Sequence, residues 1–248
     1  MVMDKKKETL IKLKEFREIY VLMCASTRAP FVACNEETFD DEVYMFYKEE
    51  AAKAEMEKLR KKMYPVQVLR IDQKARLGFF FSLVGLGINA IVVNKNRDTE
   101  ITVQVNELVR RSESAVQEGK EIIENPELQL TALYFMQELR KGTKAEMTEE
   151  LKELYEEMMI HFREGKFLLA TKLDKQIPLL KQKDEKVFLP VFTDLHEFVR
   201  FAQTKKEEKL QAVVVESAKL PGFINDGITG IVLNPFGVNV PIQMTIKK

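Results

Sequence analysis

The chain has 248 residues, of which 45% are hydrophobic and 31% charged, the balance of an ordinary globular protein rather than a disordered one. Lysine plus arginine equals aspartate plus glutamate at 39 each, so no net charge draws nucleic acid or an anionic membrane to the chain. This balance argues against a sequence-independent nucleic-acid binder. The length predicts one large domain or two small ones.

The first 16 residues are basic but contain no apolar core, so we do not expect a secretory signal there. Residues 5–17 place apolar side chains at helical spacing with charges between them, which predicts an amphipathic helix. Three apolar runs follow and predict strands, the first two joined as a hairpin. These runs are residues 19–25, 31–34 and 42–46.

Residues 48–64 are strongly helix-forming, with acidic residues at the start and basic residues at the end, matching the helix dipole. The remaining elements of this half alternate in type: a strand at 66–71, a helix at 77–86, a strand at 88–94 and a strand at 99–105 that pairs back. Strand-helix-strand steps favour right-handed crossovers and parallel neighbours.

Residues 77–93 contain no charge, and a stretch of this length is at the lower edge of what can span a membrane. The equivalent stretch in the second half carries Glu216, Lys219 and Asp226, and such charges are incompatible with lipid. We therefore expect a buried helix followed by a buried strand. Within this stretch, the letters G-x-G-x-x-A at residues 85–90 come after a helix, whereas a dinucleotide fingerprint follows a strand.

Residues 107–147 are predicted to be a helical connector, in which Asn125 caps a helix whose first residue is Pro126. A second series of elements then begins with an amphipathic helix that Gly165 ends. It continues with strands at 167–171, 177–180 and 186–193 and a short helix capped by Asp194 with Glu197 three residues later. A strand at 212–216 and the segment from residue 227 onward complete the series.

The two series share a sequence repeat. Gly87–Asn94 reads GINAIVVN and Gly227–Asn234 reads GITGIVLN, identical at five of eight positions with an offset of 140 (234 − 94). Phe46 matches Phe192 at an offset of 146 (192 − 46). The offset falls from 146 to 140 between these two matches because the intervening helix is shorter in the second series. The predicted fold class is α/β (α+β), with two tandem copies of a mixed β-sheet unit covered by helices. The predicted domains are residues 1–106, the connector 107–147, and residues 148–248.

Few residues suit catalysis or metal binding. Two cysteines and two histidines cannot supply the about four ligands of a closed zinc site at any recognised spacing. His196 lies beside Asp194, but no serine or cysteine nucleophile motif accompanies it. Cys24 and Cys34 are predicted to be reduced, although a disulfide across the predicted hairpin is geometrically conceivable. We predict no catalytic residue, no metal and no cofactor.

One turn is a candidate binding element. Asn234-Pro235-Phe236-Gly237 suits a type I turn between the last two strands, since Asn is favoured at its first position, Pro at its second and Gly at its fourth. Phe236 either folds back onto the core or contacts a partner. With Thr193 and Asp194, which precede the short helix, these four residues form the candidate binding turn.

The segments VFLPVFTDLHEFVRF and GITGIVLNPFGVNVPI, within roughly Glu149–Lys248, resemble the N-terminal domain of the SseB (enhanced serine sensitivity) family. Eight residues carry the resemblance: Pro190, Phe192, Thr193, Asp194, Gly230, Asn234, Pro235 and Gly237. The first copy lacks the proline and the Thr-Asp turn, so it is interpreted as a diverged duplicate. The resemblance implies a bacterial, cytoplasmic protein and brings no reaction or catalytic residues with it.

Two functions are compatible with these observations. The leading hypothesis is a non-enzymatic SseB-like protein that binds proteins or regulates them, without nucleic-acid or membrane partners. The alternative is a small-molecule binding protein, for an amino acid or a nucleotide, or an enzyme, with its site between the two repeats. There Thr193, Asp194 and Asn234 would supply the polar groups.

Overall fold

The computed structural model describes residues 2–110, 122–142, 147–182 and 185–244. The chain divides into two compact units that are interleaved in sequence. Unit 1 comprises Met1–Gly119 and Gln137–Thr148, and unit 2 comprises Lys120–Met136 and Glu149–Lys248. Each unit contains a mixed β-sheet with helices packed on it, which confirms the predicted fold class.

Unit 1 has three helices, α1 (Val2–Glu15), α2 (Glu49–Lys61) and α3 (Arg76–Gly85), among its described residues. Its seven strands are β1 (Glu18–Cys24), β2 (Ala29–Pro30), β3 (Val32–Cys34), β4 (Asp41–Phe46), β5 (Val66–Asp72), β6 (Ala90–Val93) and β7 (Ile101–Gln104). Acidic residues in the first turn of α2 and basic residues in its last turn complement the helix dipole, as predicted.

The main strands of unit 1 lie in the order β5-β1-β4-β6-β7. All neighbours are antiparallel except β4 and β6, and these two central strands are almost completely buried, as expected for parallel strands covered on both faces. The expectation of parallel neighbours therefore holds for β4 and β6. It does not hold for β5, which lies beside β1 and is antiparallel to it.

The predicted hairpin of the first two strands forms only in part. β1 pairs with β2, but β3 pairs with β4 instead. Phe31 continues the contact with β1 by donating its N–H to the Leu22 carbonyl at 2.9 Å, and the chain pairs with β4 from Val32 onward. Cys24 is buried and Cys34 is exposed, and both thiols are free.

Helix α4 (Pro126–Leu139) is shared between the units: its residues up to Met136 belong to unit 2, and those from Gln137 belong to unit 1. In unit 1, the Gln137 side chain pairs with the backbone of Val32, accepting from its N–H at 2.9 Å and donating to its carbonyl at 3.0 Å. Glu138 accepts a hydrogen bond from the Tyr64 hydroxyl. The last turn of the helix is therefore anchored by side chains.

Unit 2 contains helices α5 (Glu149–Glu164) and α6 (Leu195–Ala202) in addition to the first part of α4. Its six strands are β8 (Lys166–Thr171), β9 (Leu180–Lys181), β10 (Val187–Phe192), β11 (Gln211–Glu216), β12 (Gly230–Leu233) and β13 (Val240–Gln243). A 3-10 helix, Gln203–Glu208, follows α6, and a second, Ser217–Phe223, precedes β12.

The main strands of unit 2 lie in the order β11-β8-β10-β12-β13, with the parallel pair again at β10 and β12. Each strand has a counterpart in unit 1 with the same neighbours and directions. Glu42 pairs with Ala90 as Phe188 pairs with Gly230, so the paired positions are shifted by 146 and 140 residues (188 − 42 and 230 − 90). These are the two offsets of the sequence repeat.

Aromatic side chains fill the core of unit 2 between the sheet and α6. Phe192 packs edge-on against Phe198 and in a tilted arrangement against Phe201, with ring centroids 5.7 and 5.1 Å apart. None of the helices in the described ranges is long and apolar enough to cross a lipid bilayer. The uncharged segment 77–93 forms α3, a turn and β6 in the predicted order. Strand β6 is buried as expected, but the expectation of a buried helix is wrong, because α3 buries Phe80 and Leu83 and exposes Leu77 and Phe81.

Candidate functional site

The candidate binding turn lies at the carboxyl ends of β10 and β12, the edge of an α/β sheet at which ligands commonly bind. Asn234 is the residue after β12 and adopts a left-handed backbone conformation with φ of 46°. Its N–H group donates to the Val191 carbonyl at 2.9 Å, and its Oδ1 accepts from the Thr193 N–H group at 3.0 Å. Asn234 thus joins the ends of the two parallel strands with its backbone and side chain together.

Asn94 occupies the equivalent position in unit 1 and has the same role. Its φ is 56°, its N–H group donates to the Met45 carbonyl at 2.7 Å, and its Oδ1 accepts from the Tyr47 N–H group at 3.3 Å. Asparagine tolerates the left-handed region better than most residues and offers a short side-chain acceptor. The shared asparagine of the repeat is therefore explained by strand-end geometry in both units.

Thr193 and Asp194 are engaged by the same set of hydrogen bonds. The Nδ2 of Asn234 donates to Thr193 Oγ1 at 2.8 Å, and Thr193 Oγ1 donates to Asp194 Oδ2 at 3.1 Å. Asp194 Oδ1 accepts from the Glu197 N–H group at 2.9 Å and so caps α6, as predicted. Thr193 and Asn234 are almost completely buried, at 0% and 1% exposure.

Helix α4 covers this edge of unit 2 with two amide side chains. Gln129 Nε2 donates to Asp194 Oδ2 at 2.7 Å. Asn125 Nδ2 donates to the carbonyls of Thr193 and Lys166 at 2.7 and 2.8 Å. We call Asn125, Gln129, Thr193, Asp194 and Asn234 the strand-end network. Its members satisfy one another, so a ligand at this edge would have to displace α4 side chains.

The rest of the candidate turn folds back onto α6. Gly237 donates its N–H to the Asn234 carbonyl at 2.9 Å, as expected for the predicted type I turn. The Phe236 ring is half-buried and lies 6.0 Å from the Phe201 ring, so it packs on the core. Its carbonyl accepts a hydrogen bond from Arg200 Nη2 at 2.5 Å.

Glu197 fixes the last residue of this turn. A Cβ atom on Gly237 would lie 2.7 Å from Glu197 Oε2, so a larger residue there would require this carboxylate to shift. The opposite oxygen, Oε1, accepts from Arg200 Nη1 at 2.7 Å, whereas Oε2 is buried without a hydrogen-bond donor among the described residues. The predicted capping box therefore forms only on its Asp194 side, since the Glu197 carboxylate pairs with Arg200.

Burial raises the pKa of the Glu197 carboxyl above its ordinary 4.5, because desolvation and Asp194 outweigh the lowering by Arg200 and His196. A carboxyl whose pKa is raised by folding stabilises the fold below its unfolded pKa, and this contribution is lost as pH rises through the folded pKa. We therefore expect the stability of the native protein, relative to Glu197→Gln, to fall as pH rises above about 4.5. Urea unfolding of both proteins from pH 4 to 8 measures this difference.

Arg200→Met serves as the control for that titration, because it removes a charge that lowers the Glu197 pKa. In that background the loss of relative stability should extend to higher pH. A difference between the native protein and Glu197→Gln that does not vary with pH would contradict the assignment.

The described residues contain no group of three or more histidine, cysteine, aspartate or glutamate side chains placed to hold a metal ion. The sequence missed Asn125, Gln129 and Arg200 as members of this site. Asn125 was predicted only as a helix cap: it directly precedes α4, and its carbonyl accepts from the Gln129 N–H group at 2.9 Å. Its side-chain amide in addition donates to the carbonyls of Thr193 after β10 and Lys166 at the start of β8. Gln129 and Arg200 carry no local signal that separates them from polar residues on the exposed face of a helix, although Gln129 is buried.

Comparison with known protein families finds a match for the second unit. Residues 142–245 match the SseB protein N-terminal domain, which confirms the resemblance of this part of the chain. No curated protein matches the chain. The chain is similar to the solved structure of Tic22 from Plasmodium falciparum, with 15% identity and a TM-score of 0.23 over 94% of this chain and 91% of that one. It is also similar to Anabaena Tic22 (protein transport), with 11% identity and a TM-score of 0.22 over 93% and 92%. The family assignment comes from the sequence match alone.

Proposed function

We propose that this chain, whose residues 142–245 are an SseB N-terminal domain, is a non-enzymatic protein-binding or regulatory module. We propose further that its two units arose by duplication and that unit 1 diverged to carry the binding surface. The matching strand order of the two sheets and their shared strand-end asparagines support the duplication. The SseB resemblance supports a bacterial, cytoplasmic setting, which fractionation of the native host would test.

The observation that carries the proposal is an apolar face on α3 of unit 1. Leu77 and Phe81, one helical turn apart, are 59% and 40% exposed. The only charged residue of α3 is Arg76 at its start, whose guanidinium lies over the Phe16 ring and donates to the Phe16 carbonyl, and no charge follows along the helix. Exposed, adjacent apolar side chains of this size commonly mark a surface that contacts another protein.

Two glycines make this face accessible to a partner. A Cβ atom at Gly78 or Gly85 would meet nothing within 4 Å, so both positions open to free space. A glycine within a helix costs about 1 kcal/mol relative to alanine, and no packing within unit 1 requires glycine at position 78. Close approach of a partner's side chains to the helix backbone is the use that we propose for them.

The corresponding segment of unit 2 lacks such a face. It is the 3-10 helix Ser217–Phe223, which contains Pro221 and the exposed ion pair of Lys219 with Glu216. The exposed apolar helix face therefore belongs to unit 1, whereas the resemblance to the SseB family belongs to unit 2. This difference supports a division of roles between the two units.

Photo-crosslinking tests the proposal. With p-benzoylphenylalanine in place of Phe81, irradiation in the native host should give one or a few adducts of discrete mass. Phe39 is the matched control, since it is also a phenylalanine and is 77% exposed, but it lies in a loop. The control position should give no such adduct, and Leu77→Asp should abolish the adduct at position 81. Equal labelling at both positions would refute a specific binding face.

The candidate binding turn leads to the second function, a small-molecule site at Thr193, Asp194 and Asn234. The strand-end network already occupies the polar atoms of these residues, which favours the protein-binding module. A thermal-shift screen with amino acids and nucleotides distinguishes the two. A compound whose stabilisation of the native protein differs from its stabilisation of Gln129→Ala would instead favour a ligand at this edge. Gln129 is the side chain that a ligand would replace there.

A further inference from the structure

Strand β11 forms an exposed edge of the sheet in unit 2, and its only charged residue is Glu216 at its end. Val213 and Val214 are 44% and 46% exposed, and Gln211 and Ala212 are exposed as well. The strand has no charged side chain between Lys209 and Glu216. An exposed apolar edge of this kind readily pairs with another strand, and proteins usually protect such edges with charges or cover them.

The backbone of β11 offers a free row of hydrogen-bonding groups. The N–H group of Ser217 donates to the Gly165 carbonyl at 3.0 Å, one step beyond the last pair of the β8–β11 ladder. Backbone groups alternate in direction along an antiparallel ladder. The N–H and C=O groups of Val215 and Val213 therefore point toward β8, and those of Ala212, Val214 and Glu216 point away from it. Among the described strands, β8 is the only one that pairs with β11.

Helix α6 extends the apolar surface beside this edge. Arg200 reaches the Phe236 carbonyl, so its side of the helix faces β12. At about 100° per residue, Val199 lies about 100° and Leu195 about 140° around the helix from Arg200, away from the β12 side. Leu195 and Val199 are 60% and 39% exposed.

Unit 1 shows how the same edge is protected. The counterpart of Val214 is Arg70, because Val21 pairs with Leu69 as Leu169 pairs with Val213. Strand β5 thus carries Arg70 and Asp72 on its outward-facing positions. The helix beside it, α2, has 13 residues against the eight of α6. In unit 2 Glu216 keeps the charge of Asp72, but Val214 stands in place of Arg70 and the neighbouring helix is shorter.

We propose that β11 is the interface through which two copies of this chain associate, pairing as antiparallel strands across a two-fold axis. Charge favours this partner and this direction. Lys209 stands before the strand and Glu216 ends it, and both are exposed. Antiparallel pairing places the Lys209 end of each copy against the Glu216 end of the other, whereas parallel pairing would bring like charges together. A two-fold contact of this kind is self-complementary and closed.

The self-association involves a different surface from the α3 face and does not depend on it. In the dimer the two sheets become one continuous sheet, and Ala212 and Val214 of both copies form a strip between the two α6 helices. The side chains of Leu195 and Val199 border this strip on each side.

Sedimentation equilibrium of the full chain tests the proposal. The 28.8 kDa chain should sediment with twice its monomer mass at micromolar concentration. Val214→Arg should weaken self-association at least tenfold, because it places two arginines close together at the axis. The variant should stay folded, since β5 carries arginine at this position. Leu69→Arg, on the edge strand of unit 1 and similarly exposed at 41%, is the matched control and should leave the dimer intact.

Hydrogen exchange provides a measurement that needs no substitution. The amides of Ala212, Val214 and Glu216 should exchange more slowly as the protein concentration rises, while those of the outward positions of β5 should not change. A monomer throughout the micromolar range, a dimer that Val214→Arg leaves unaltered, or β11 amides insensitive to concentration would each overturn the proposal.

Discussion

Replacing Asn234 by alanine is expected to lower the free energy of unfolding of unit 2 by about 3 kcal/mol. The substitution leaves the buried Thr193 N–H group without an acceptor, which costs about 1–3 kcal/mol. It also places alanine at φ of 46°, a left-handed conformation that asparagine tolerates better, which adds up to about 1 kcal/mol. Urea unfolding monitored by circular dichroism measures the loss.

Two control variants separate these contributions. Asn234→Gly also removes the side-chain hydrogen bonds, but glycine adopts the left-handed backbone conformation without strain. It should therefore recover about 1 kcal/mol of the stability that Asn234→Ala loses. Asn94→Ala makes the same change in unit 1, where the residue is half-buried and its bond to the Tyr47 N–H group is longer, at 3.3 Å. It should cost less than Asn234→Ala. Equal losses in the two units would show that burial of the network contributes nothing.

Gly230→Ala is expected to destabilise the protein by about 3 kcal/mol, at the upper end of the range for overpacking. A Cβ atom there would lie 2.2 Å from the Ile242 carbonyl oxygen and 3.0 Å from the Gln243 Cα atom. Both are backbone atoms of β13, so relief requires that strand to move away and weaken its pairing with β12. Thermal and urea unfolding report the effect.

The matched variant is Gly78→Ala, which adds the same methyl group where nothing lies within 4 Å. Because alanine is the better helix former, this change should stabilise α3 by up to about 1 kcal/mol. The repeat itself supplies a second comparison, since unit 1 holds Ala90 at the position of Gly230. A neutral Gly230→Ala would mean that β13 accommodates the methyl group as β7 does.

The sequence predicted most elements of both units and the correspondence between the two units. The offsets of 146 and 140 follow from local patterns, and they reappear as the paired positions of β4 with β6 and β10 with β12. The order of the outer strands could not be predicted, because β5 reaches its place beside β1 through a contact distant in sequence. Periodicity describes which face of a strand is buried but not which strand lies beside it.

In the candidate site, too, local motifs could be predicted and contacts between distant residues could not. Asn234, Pro235 and Gly237 were recognised as a turn, and Asp194 as a helix cap, because both motifs depend on neighbours in the sequence. Gln129 meets Asp194 across 65 residues and Asn234 across 105, and no local rule indicates either contact. The buried position of Glu197 was equally hidden, since glutamate is almost always exposed unless it is paired.

The division of α4 between the units has a consequence for how the chain can be cut. The path of the backbone enters unit 2 at residue 120, returns to unit 1 at 137 and enters unit 2 again at 149. No single scission therefore yields two complete units. The family match at 142–245 also begins after Asn125 and Gln129, so a fragment of that extent would lack the side chains that complete the ends of its strands. The folding unit is longer than the homology unit, and it is discontinuous.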